Sequence, residues 1–290
     1  MEDWDHFRVV LALARTKTLR GAAELLGVNH TTVSRRLTSL THFYQTELFE
    51  RIGGCYQLTT MGAEVLKAAE NIEQVIIDAK RLKRASDVTL SGKITLSLPT
   101  AIGQYLLLDE LAQFQQSYPN ISLNIVGSYQ LADLDRCEAD IVIRADNNPS
   151  EHLVGRRLCN IAVCYYGETE YLANTPSEQL RWIKRPVDDD VKCWIAQSPY
   201  PEAEIGLQIS DLDLRHNAAL AGHGLFRGAC YMADPEPRLQ RLNNCQAEPF
   251  QDLWVLTHPD LRNVPRIKVL MDFISTSLLS KKALIEGVKS

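Results

Sequence analysis

The side chains best suited to recognising a partner are grouped between positions 30 and 36. They form the polar face of one predicted helix and comprise His30, Thr31, Thr32, Ser34, Arg35 and Arg36. Arginine grips guanine edges with two hydrogen bonds, and threonine or serine suits thymine and mixed contacts in the major groove. The N-terminal residues of such a helix usually reach the bases. This face is therefore a candidate for reading a DNA duplex.

Local charge is compatible with that chemistry. Between residues 15 and 36 the only anion is Glu24, and the cations are Arg15, Lys17, Arg20, Arg35 and Arg36. The whole chain carries a formal net charge of −5, so only a local basic surface can attract phosphates. An ordinary solvated helix face has the same composition, and the surrounding pattern must distinguish the two.

Three short helices are expected to hold the polar face. Helical spacing of apolar residues predicts the first over residues 4–15, at Phe7, Val10, Leu11 and Ala14. Thr18 suits the N-cap of a second helix, Gly27 its end, and Asn29 the N-cap of the third. Opposite its polar face the third helix has an apolar stripe, which consists of Val33, Leu37 and Leu40.

The second and third helices, joined by Gly27-Val28-Asn29, form a helix-turn-helix. Residues 48–58 alternate around Gly53-Gly54 and predict a small β-hairpin, or wing. Arg20 and Arg51 are then placed to contact phosphates, although Arg51 could instead pair with a neighbouring glutamate. A helical hairpin without a role in DNA binding is the alternative for the helices alone, and the wing favours DNA.

A long helix is predicted over residues 62–85. Its apolar residues repeat at intervals of four and three, as in a heptad seam: Val65, Ala69, Ile72, Ile76 and Ala79. We expect the seam to pair two copies of the chain, because two reading units on a two-fold axis match a palindromic site. Docking of the helix onto the rest of its own chain is the alternative. Residues 87–92 are a predicted hinge.

The second part of the chain alternates strand and helix patterns, which predicts βαβ units and a parallel sheet. Strands are expected first at 93–98, 121–126 and 140–144, and then at 161–166, 192–196, 205–209 and 252–257. Helices are expected at about 102–117, 131–136, 211–221 and 264–279.

Ligands bind such sheets at the carboxyl ends of the strands. Thr100 follows the first predicted strand, Ser128 follows the second and Arg144 ends the third. The Thr100 hydroxyl and the free amides at a helix start could hold an anion there. Thr100 could equally be a simple helix cap, and Arg144 a member of a surface ion pair.

These residues resemble a known family. The stretch Thr18–Val28, followed by Val33–Leu37 and Leu40, is similar to the winged helix-turn-helix of LysR-type transcriptional regulators. Leu48–Arg51 and Leu58–Gly62 resemble the family's wing and the beginning of its linker. The similarity continues into the second part and so covers nearly all of the chain.

The resemblance implies an N-terminal all-α winged helix-turn-helix with a long linker helix, and a C-terminal α/β effector domain with two subdomains, like a periplasmic binding protein. The implied bounds are 1–61 for DNA binding, 62–90 for the linker, dimerisation helix and hinge, and 91–290 for effector binding. Subdomain 1 would comprise about 91–159 and 264–290, and subdomain 2 about 160–263. The chain would cross near residues 158–161 and return near 260–265.

The resemblance also implies a function. It predicts a sequence-specific DNA-binding transcriptional regulator, homodimeric or homotetrameric, whose partners are double-stranded DNA and a small-molecule effector. By the resemblance the effector cleft is lined by Thr100, Ile102, Ser128 and Arg144 on one side, and by Trp194 and Ile195 on the other.

The chain departs from the family pattern at several positions. Thr31 replaces a frequent proline, Thr41 a usual glutamate and Gln45 a usual glycine. A non-glycine residue in a left-handed turn costs about 1 kcal/mol, so we expect the turn at Gln45 to be shaped differently. Gly228-Ala229 stands where the family often has Leu-Pro.

Other classes of function find little support in the sequence. It contains no nucleophile elbow, no glycine-rich nucleotide motif and no zinc-protease motif, so we expect no catalytic residue, cofactor or metal. Seven scattered cysteines, an acidic N-terminus and the lack of a long apolar run predict a cytoplasmic protein with reduced thiols and no membrane partner. Two alternatives remain: a solute-binding module with a helical dimerisation appendage, and a small-molecule enzyme with a helical appendage.

Overall fold

The computed structural model describes residues 4–85, 89–129, 133–186, 191–242 and 245–288. The chain divides into two compact units, Met1–Leu82 and Lys83–Ser290. In the described part of the chain, no helix is both long and apolar enough to span a membrane.

The first unit contains four helices and a hairpin among its described residues. Its elements are α1 (Trp4–Thr16), α2 (Leu19–Leu26), α3 (His30–Tyr44), β1 (Phe49–Ile52), β2 (Cys55–Leu58) and α4 (Thr60–Ala85). The predicted caps are confirmed: Thr18 Oγ1 accepts from the Gly21 amide at 3.0 Å, and Asn29 Oδ1 accepts from the Thr31 amide at 3.1 Å. Gly27 ends α2 at φ 65°, a left-handed conformation that glycine adopts without a Cβ penalty.

The core of this unit lies where α1, α2 and α3 cross. Ala22 is fully buried and Ala23 nearly so, and their small side chains allow a close approach of the helices. Val33 and Leu40 bury the apolar stripe of α3, as predicted. The strands β1 and β2 pair in antiparallel register around Gly53 and Gly54, whose φ values of 59° and 85° are typical of a tight hairpin turn.

The turn after α3 corrects one expectation. Gln45 adopts φ 53° and ψ 26°, so the turn keeps the left-handed conformation although a side chain is present. The polypeptide tolerates a local cost of about 1 kcal/mol here rather than changing the path of the chain.

The second unit begins with elements from residue 92 to residue 174. They are β3 (Gly92–Leu98), α5 (Thr100–Ile102), α6 (Leu108–Ser117), β4 (Ile121–Gly127), β5 (Ile141–Ala145), β6 (Val154–Glu168) and α7 (Thr169–Asn174). Between α5 and α6, Gly103–Leu107 form a wider π-helical turn, so the helix predicted over 102–117 is continuous but irregular.

The rest of the second unit contains shorter elements. They are β7 (Arg181–Lys184), α8 (Val191–Ala196), β8 (Glu204–Gln208), α9 (Leu212–Leu220), β9 (Leu225–Ala229), α10 (Cys230–Ala233), β10 (Leu239–Arg241), β11 (Glu248–Thr257), α11 (Pro265–Ser280) and α12 (Lys282–Ile285). Single 3₁₀ turns lie at Ser177–Gln179 and Pro259–Leu261.

One mixed sheet organises this unit, in the order β4-β3-β5-β11-β6-β9-β7-β8, with β10 on β6. The prediction of parallel βαβ units holds within each half: β3 pairs in parallel with β4 and β5, and β7 with β8 and β9. The long strands β6 and β11 are antiparallel to each other and join the halves. The chain returns in β11, ahead of the predicted return near 260–265.

Two further predictions of secondary structure are wrong. Residues 192–196 lie in helix α8 rather than in a strand, because a short apolar run has the same appearance in a buried helix and a buried strand. The helix expected at 131–136 is replaced by turns over 134–137, and residues 131 and 132 lie outside the described part of the chain.

Candidate functional site

The polar face of α3 is open to solvent. His30, Thr31, Ser34 and Arg35 are exposed, and Thr32 is half-buried. This exposure requires no loss of core packing, since the buried residues of α3 lie on its opposite face. The structure therefore brings these five predicted side chains together on one accessible surface.

Arg36 differs from its neighbours on α3. Its Nη2 donates to Asp5 Oδ2 at 2.7 Å, and Asp5 also accepts from Arg8 at 3.3 Å. The guanidinium of Arg36 thus fastens α3 to α1. This contact between Arg36 and Asp5 could not be predicted from local sequence patterns, because 31 residues separate the two partners.

The two arginines expected to contact phosphates lie on different elements, α2 and the wing. Arg20 is on α2 and forms an exposed pair with Glu24 at 3.3 Å, and such a pair is too weak to hold it against a phosphate. Arg51 is exposed on β1, and within the described ranges no carboxylate lies within 4 Å of it. The wing itself is held by the Tyr56 amide, which donates to the Lys17 carbonyl at 2.9 Å.

The apolar residues of the long helix α4 are buried near its start and exposed further along. Val65 and Ala69 are buried in the core of the first unit, which is the alternative that the sequence left open for this helix. Further along, Val75 and Leu82 are 67% and 65% exposed. The accessible stripe of α4 is therefore shifted from the predicted one and consists of Ala68, Ile72, Val75, Ala79 and Leu82.

In the second unit, the carboxyl ends of β3 and β4 meet helix α9 from the other half of the sheet. Tyr129, just after β4, accepts a hydrogen bond at its hydroxyl from the Ala101 amide at 3.3 Å. The same hydroxyl donates to Asp213 Oδ2, also at 3.3 Å. Thr100 is exposed at the start of α5, and the Ser128 amide donates to the Leu98 carbonyl at 2.9 Å. Thr100 and Ser128 therefore lie at one edge, beside a tyrosine that bridges the two halves.

A cluster of rings surrounds this bridge. His216 lies one turn after Asp213 on α9 and is 3% exposed, with its ring centroid 5.8 Å from that of Tyr105. Tyr105 also meets Tyr231 edge-on, with 6.5 Å between ring centroids. Burial lowers the pKa of His216 and raises the pKa of Asp213, while burial above all raises the pKa of Tyr129 to about 12.

Three predicted cleft residues lie in or against the cores. Ile102 is 1% exposed within the main core of the unit. Trp194 is 4% exposed, its ring meets Trp182 edge-on at 5.2 Å, and its carbonyl accepts from the Tyr165 hydroxyl at 2.8 Å. Ile195 is half-buried against the same aromatic cluster. The helical conformation of α8 turns these side chains inward, whereas a strand would have offered alternate residues to the cleft.

Arg144 is separated from Thr100 and Ser128 by the pleat of β5. Ile141 and Ile143 face the main core, whereas Val142 and Arg144 line a cavity of about 340 Å³ on the other side. Burial lowers the pKa of Arg144, and the nearby Asp146 opposes that shift. The predicted set of effector residues is thus divided between two places, because strand residues two apart share a face and adjacent ones do not.

Two family profiles match these two units. Residues 4–63 match the bacterial regulatory helix-turn-helix protein of the LysR family, and residues 88–278 match the LysR substrate-binding domain. The chain belongs to the LysR family. It is accordingly a DNA-binding transcriptional regulator with a domain for a small-molecule effector, as the sequence predicted, and the solute-binding module with a helical appendage is not favoured. LysR regulators also form oligomers.

Other LysR-family proteins are similar over most of their length. A transcriptional repressor of Pseudomonas aeruginosa is 24% identical over 221 residues, which cover 72% of this chain and 70% of that protein. The virulence activator AphB of Vibrio cholerae has a TM-score of 0.60 at 16% identity, with 94% of this chain and 98% of that chain covered. CrgA of Neisseria meningitidis has a TM-score of 0.57 at 22% identity, with 96% and 99% covered. The two structures share the fold.

Five residues of this LysR-family chain that lie around the bridge were not predicted from its sequence: Tyr105, Tyr129, Tyr231, Asp213 and His216. A usable signal existed for two of them. Asp213 and His216 lie three residues apart in a predicted helix, and this spacing puts both on one helix face. The tyrosines gave no such signal, because their approach to α9 depends on the topology of the sheet.

Proposed function

We propose that this regulator reads operator DNA with the exposed face of α3, and that a small molecule beside Tyr129 controls its activity. The observation that carries the first part is the division of α3 into a polar, exposed face and a buried apolar stripe. Such a helix can enter the major groove without disturbing its own core. Since DNA is its partner, the regulator works in the compartment that holds the genome, the cytoplasm.

In this proposal the side chains of the recognition face have different tasks. The residues that contact base edges are His30, Thr31, Thr32, Ser34 and Arg35. Arg20 and Arg51 contact phosphates on either side of the groove. Arg36 orients α3 through Asp5, and this contact supports a positioning role for Arg36.

We propose that two chains pair through the accessible stripe of α4. Ala68, Ile72, Val75, Ala79 and Leu82 follow one another at intervals of four and three, which is the spacing of a two-stranded coiled coil. The exposure of Val75 and Leu82 in a single chain supports this pairing. Apolar side chains on the edge strands β4 and β8 support a further contact that would give a homotetramer: Ile125, Val126, Ile205 and Leu207.

The proposed effector site comprises Thr100 and Ser128 together with the bridge between Tyr129 and Asp213. Ile102, Trp194 and Ile195 support its walls from the cores, and Arg144 serves a separate cavity. An effector that replaces the bridge would favour a different arrangement of the two halves of the sheet. The regulator acts by binding, without a catalytic step.

The test is selection of genomic DNA fragments by the purified full-length protein, followed by footprinting on the fragment that binds best. The proposal predicts a protected site with two-fold symmetry. Arg35→Ala should weaken the preference for that fragment, whereas Lys268→Ala, an exposed cation on α11, should keep it in full. Selection of no fragment above background would overturn the proposal.

A further inference from the structure

We propose that the effector is a protonated amine, with Asp213 as its counter-ion and Tyr105, Tyr129 and Tyr231 as an aromatic wall. This inference rests on the proposed effector site and adds the chemical class of its ligand. Three observations support it: two polar atoms of α9 lack hydrogen-bond partners among the described residues, aromatic rings lie beside them, and the nearby charges are negative.

Asp213 is half-buried, and its carboxylate makes few contacts with the described residues. Oδ2 has only the long 3.3 Å bond from the Tyr129 hydroxyl, and Oδ1 is buried with no hydrogen-bond partner among the residues that the structure describes. Buried polar atoms are almost always paired, since leaving one unpaired costs about 1–3 kcal/mol. An N–H donor from a ligand would satisfy this oxygen.

His216 presents a second unsatisfied group on the same helix face. His216 is only 3% exposed, and its Nδ1 has no hydrogen-bond partner in the described ranges. Burial lowers the pKa of His216, so the imidazole is neutral near pH 7 and does not neutralise Asp213. The negative charge of the Asp213 carboxylate is therefore not compensated by His216.

The rings beside Asp213 suit a cation. Tyr105 and Tyr231 meet edge to face with 68° between ring planes, so the buried Tyr231 packs behind Tyr105 from the core. Tyr129 is 49% exposed and gives solvent access to the same place. An ammonium group over tyrosine faces gains about 0.5–2 kcal/mol, more as it is desolvated.

The charges that act on these tyrosines are negative. Burial is the main cause of the raised pKa of Tyr105, and Asp213 and Glu236 add to it. Burial likewise dominates the raised pKa of Tyr129 and of Tyr231, and Asp213 adds to both. A site of this sign attracts a cation and repels a carboxylate.

The start of α5 is less suited to an anion than its sequence predicts. The free amides beside Thr100 were expected to bind an anion, but the Ala101 amide donates to the Tyr129 hydroxyl. A protonated amine that donates to both carboxylate oxygens of Asp213 would compete with the Tyr129 hydroxyl for Oδ2 and so weaken the bridge between β4 and α9. Ligand binding would thereby act on the relation between the two halves of the sheet.

The test measures thermal unfolding of the full chain against the concentration of three probes: phenethylamine, its neutral counterpart 2-phenylethanol, and phenylacetate. We expect phenethylamine to bind at least tenfold more tightly than either other probe. Asp213→Asn keeps an acceptor for Tyr129 but removes the charge, and should reduce this preference to less than twofold. Asp211→Asn, the matched control at the N-cap of α9, should keep it.

Tyr129→Phe separates binding from a merely structural role. The variant retains the ring but releases Asp213, so phenethylamine should bind several-fold more tightly than to the natural chain. Equal binding of phenethylamine and 2-phenylethanol, tighter binding of phenylacetate, or an unchanged preference in Asp213→Asn would each overturn the inference. The same preparations are tested for binding to duplex DNA: loss of the amine preference with intact DNA binding overturns only the ligand class, whereas absent DNA binding overturns the proposed function.

Discussion

Asp5 of α1 accepts a hydrogen bond from Arg36 of α3 at 2.7 Å, so the first helix of the chain holds a cation of the recognition helix. The contact joins two elements that are distant in sequence and makes Arg36 a member of the scaffold. The sequence groups Arg36 with its neighbour Arg35, whereas in the structure Arg36 pairs with Asp5 and Arg35 is exposed.

This ion pair should contribute modestly to stability. Both side chains are partly exposed, so solvent screening limits the loss in Asp5→Asn and in Arg36→Gln to about 0.2–1 kcal/mol of the free energy of unfolding. Urea unfolding of both single variants and the double variant gives their coupling energy. Fully additive effects would show that the pair contributes nothing.

Arg35 and Arg51 should differ in how their loss affects DNA binding. Arg35→Ala should relax base preference at one position of the site, at a cost of about 1–3 kcal/mol for the preferred base. Arg51→Ala should weaken all sequences alike and reduce the dependence of log K on log salt by about 1. Binding to a library of site variants at two salt concentrations distinguishes the two effects. An unchanged preference and affinity for Arg35→Ala would remove it from the interface.

Gln45 and Gly27 both adopt the left-handed backbone conformation, so substitutions at the two positions measure what this conformation costs a residue with a side chain. Gln45→Gly should stabilise the chain by up to about 1 kcal/mol, because glycine adopts φ 53° without a Cβ penalty. Gly27→Ala should destabilise it by about 1 kcal/mol, and the space around that Cβ is open, so the loss reports conformation alone. Denaturant midpoints of the two variants test this, and changes of the same sign would contradict it.

The accessible stripe of α4 should control association. Val75→Glu or Leu82→Glu places a charge in the proposed seam and should shift the chain from dimer towards monomer. Gln74→Glu adds the same charge beside the seam and should leave the dimer intact. Light scattering coupled to size exclusion measures the mass, and an unchanged mass for both seam variants would refute the pairing.

Stability should rise with pH as His216 loses its proton. Burial holds the folded-state pKa of His216 below its ordinary value of 6.5, so the unfolded chain binds the proton more tightly. The contribution of His216 is therefore present above pH 6.5 and is lost as the pH falls below it.

His216→Phe should flatten this pH dependence, whereas His42→Gln, at an exposed position of α3, should not. Among the described residues, Glu236 and Asp213 act on the charge of His216, and Tyr105 packs against its ring. The free energy of urea unfolding between pH 5 and pH 7.5, within the range where histidine titrates, gives the difference between the variants. Parallel curves for His216→Phe and the natural chain would contradict the assignment.

Local signals in the sequence predicted the elements of the first unit well. Thr18, Gly27 and Asn29 act through hydrogen bonds or backbone angles within three residues of themselves, so their roles can be read without the fold. The exposed face of α3 follows from helical periodicity in the same way. The role of Arg36 could not be read, since it depends on Asp5.

The proposed effector site was harder to predict because it depends on long-range topology. Tyr129 and Asp213 are 84 residues apart and meet only because β6 and β11 join two parallel halves into one sheet. The strand predicted over 192–196 is helix α8, because a short apolar run has the same appearance in both. Arg144 lies in the strand predicted for it, and the sequence did not show that its side chain lines a separate cavity.

The most direct test of the central claim is the affinity of the purified full chain for its selected duplex between about 50 mM and 200 mM salt. The account predicts tight binding at low salt, with log K falling linearly with log salt and affinity decreasing roughly 100-fold or more across that range. It also predicts that Arg35→Ala discriminates less strongly between this duplex and one changed at the base that Arg35 reads, by about 1–3 kcal/mol. Failure of the natural chain to bind any duplex at low salt would contradict the account.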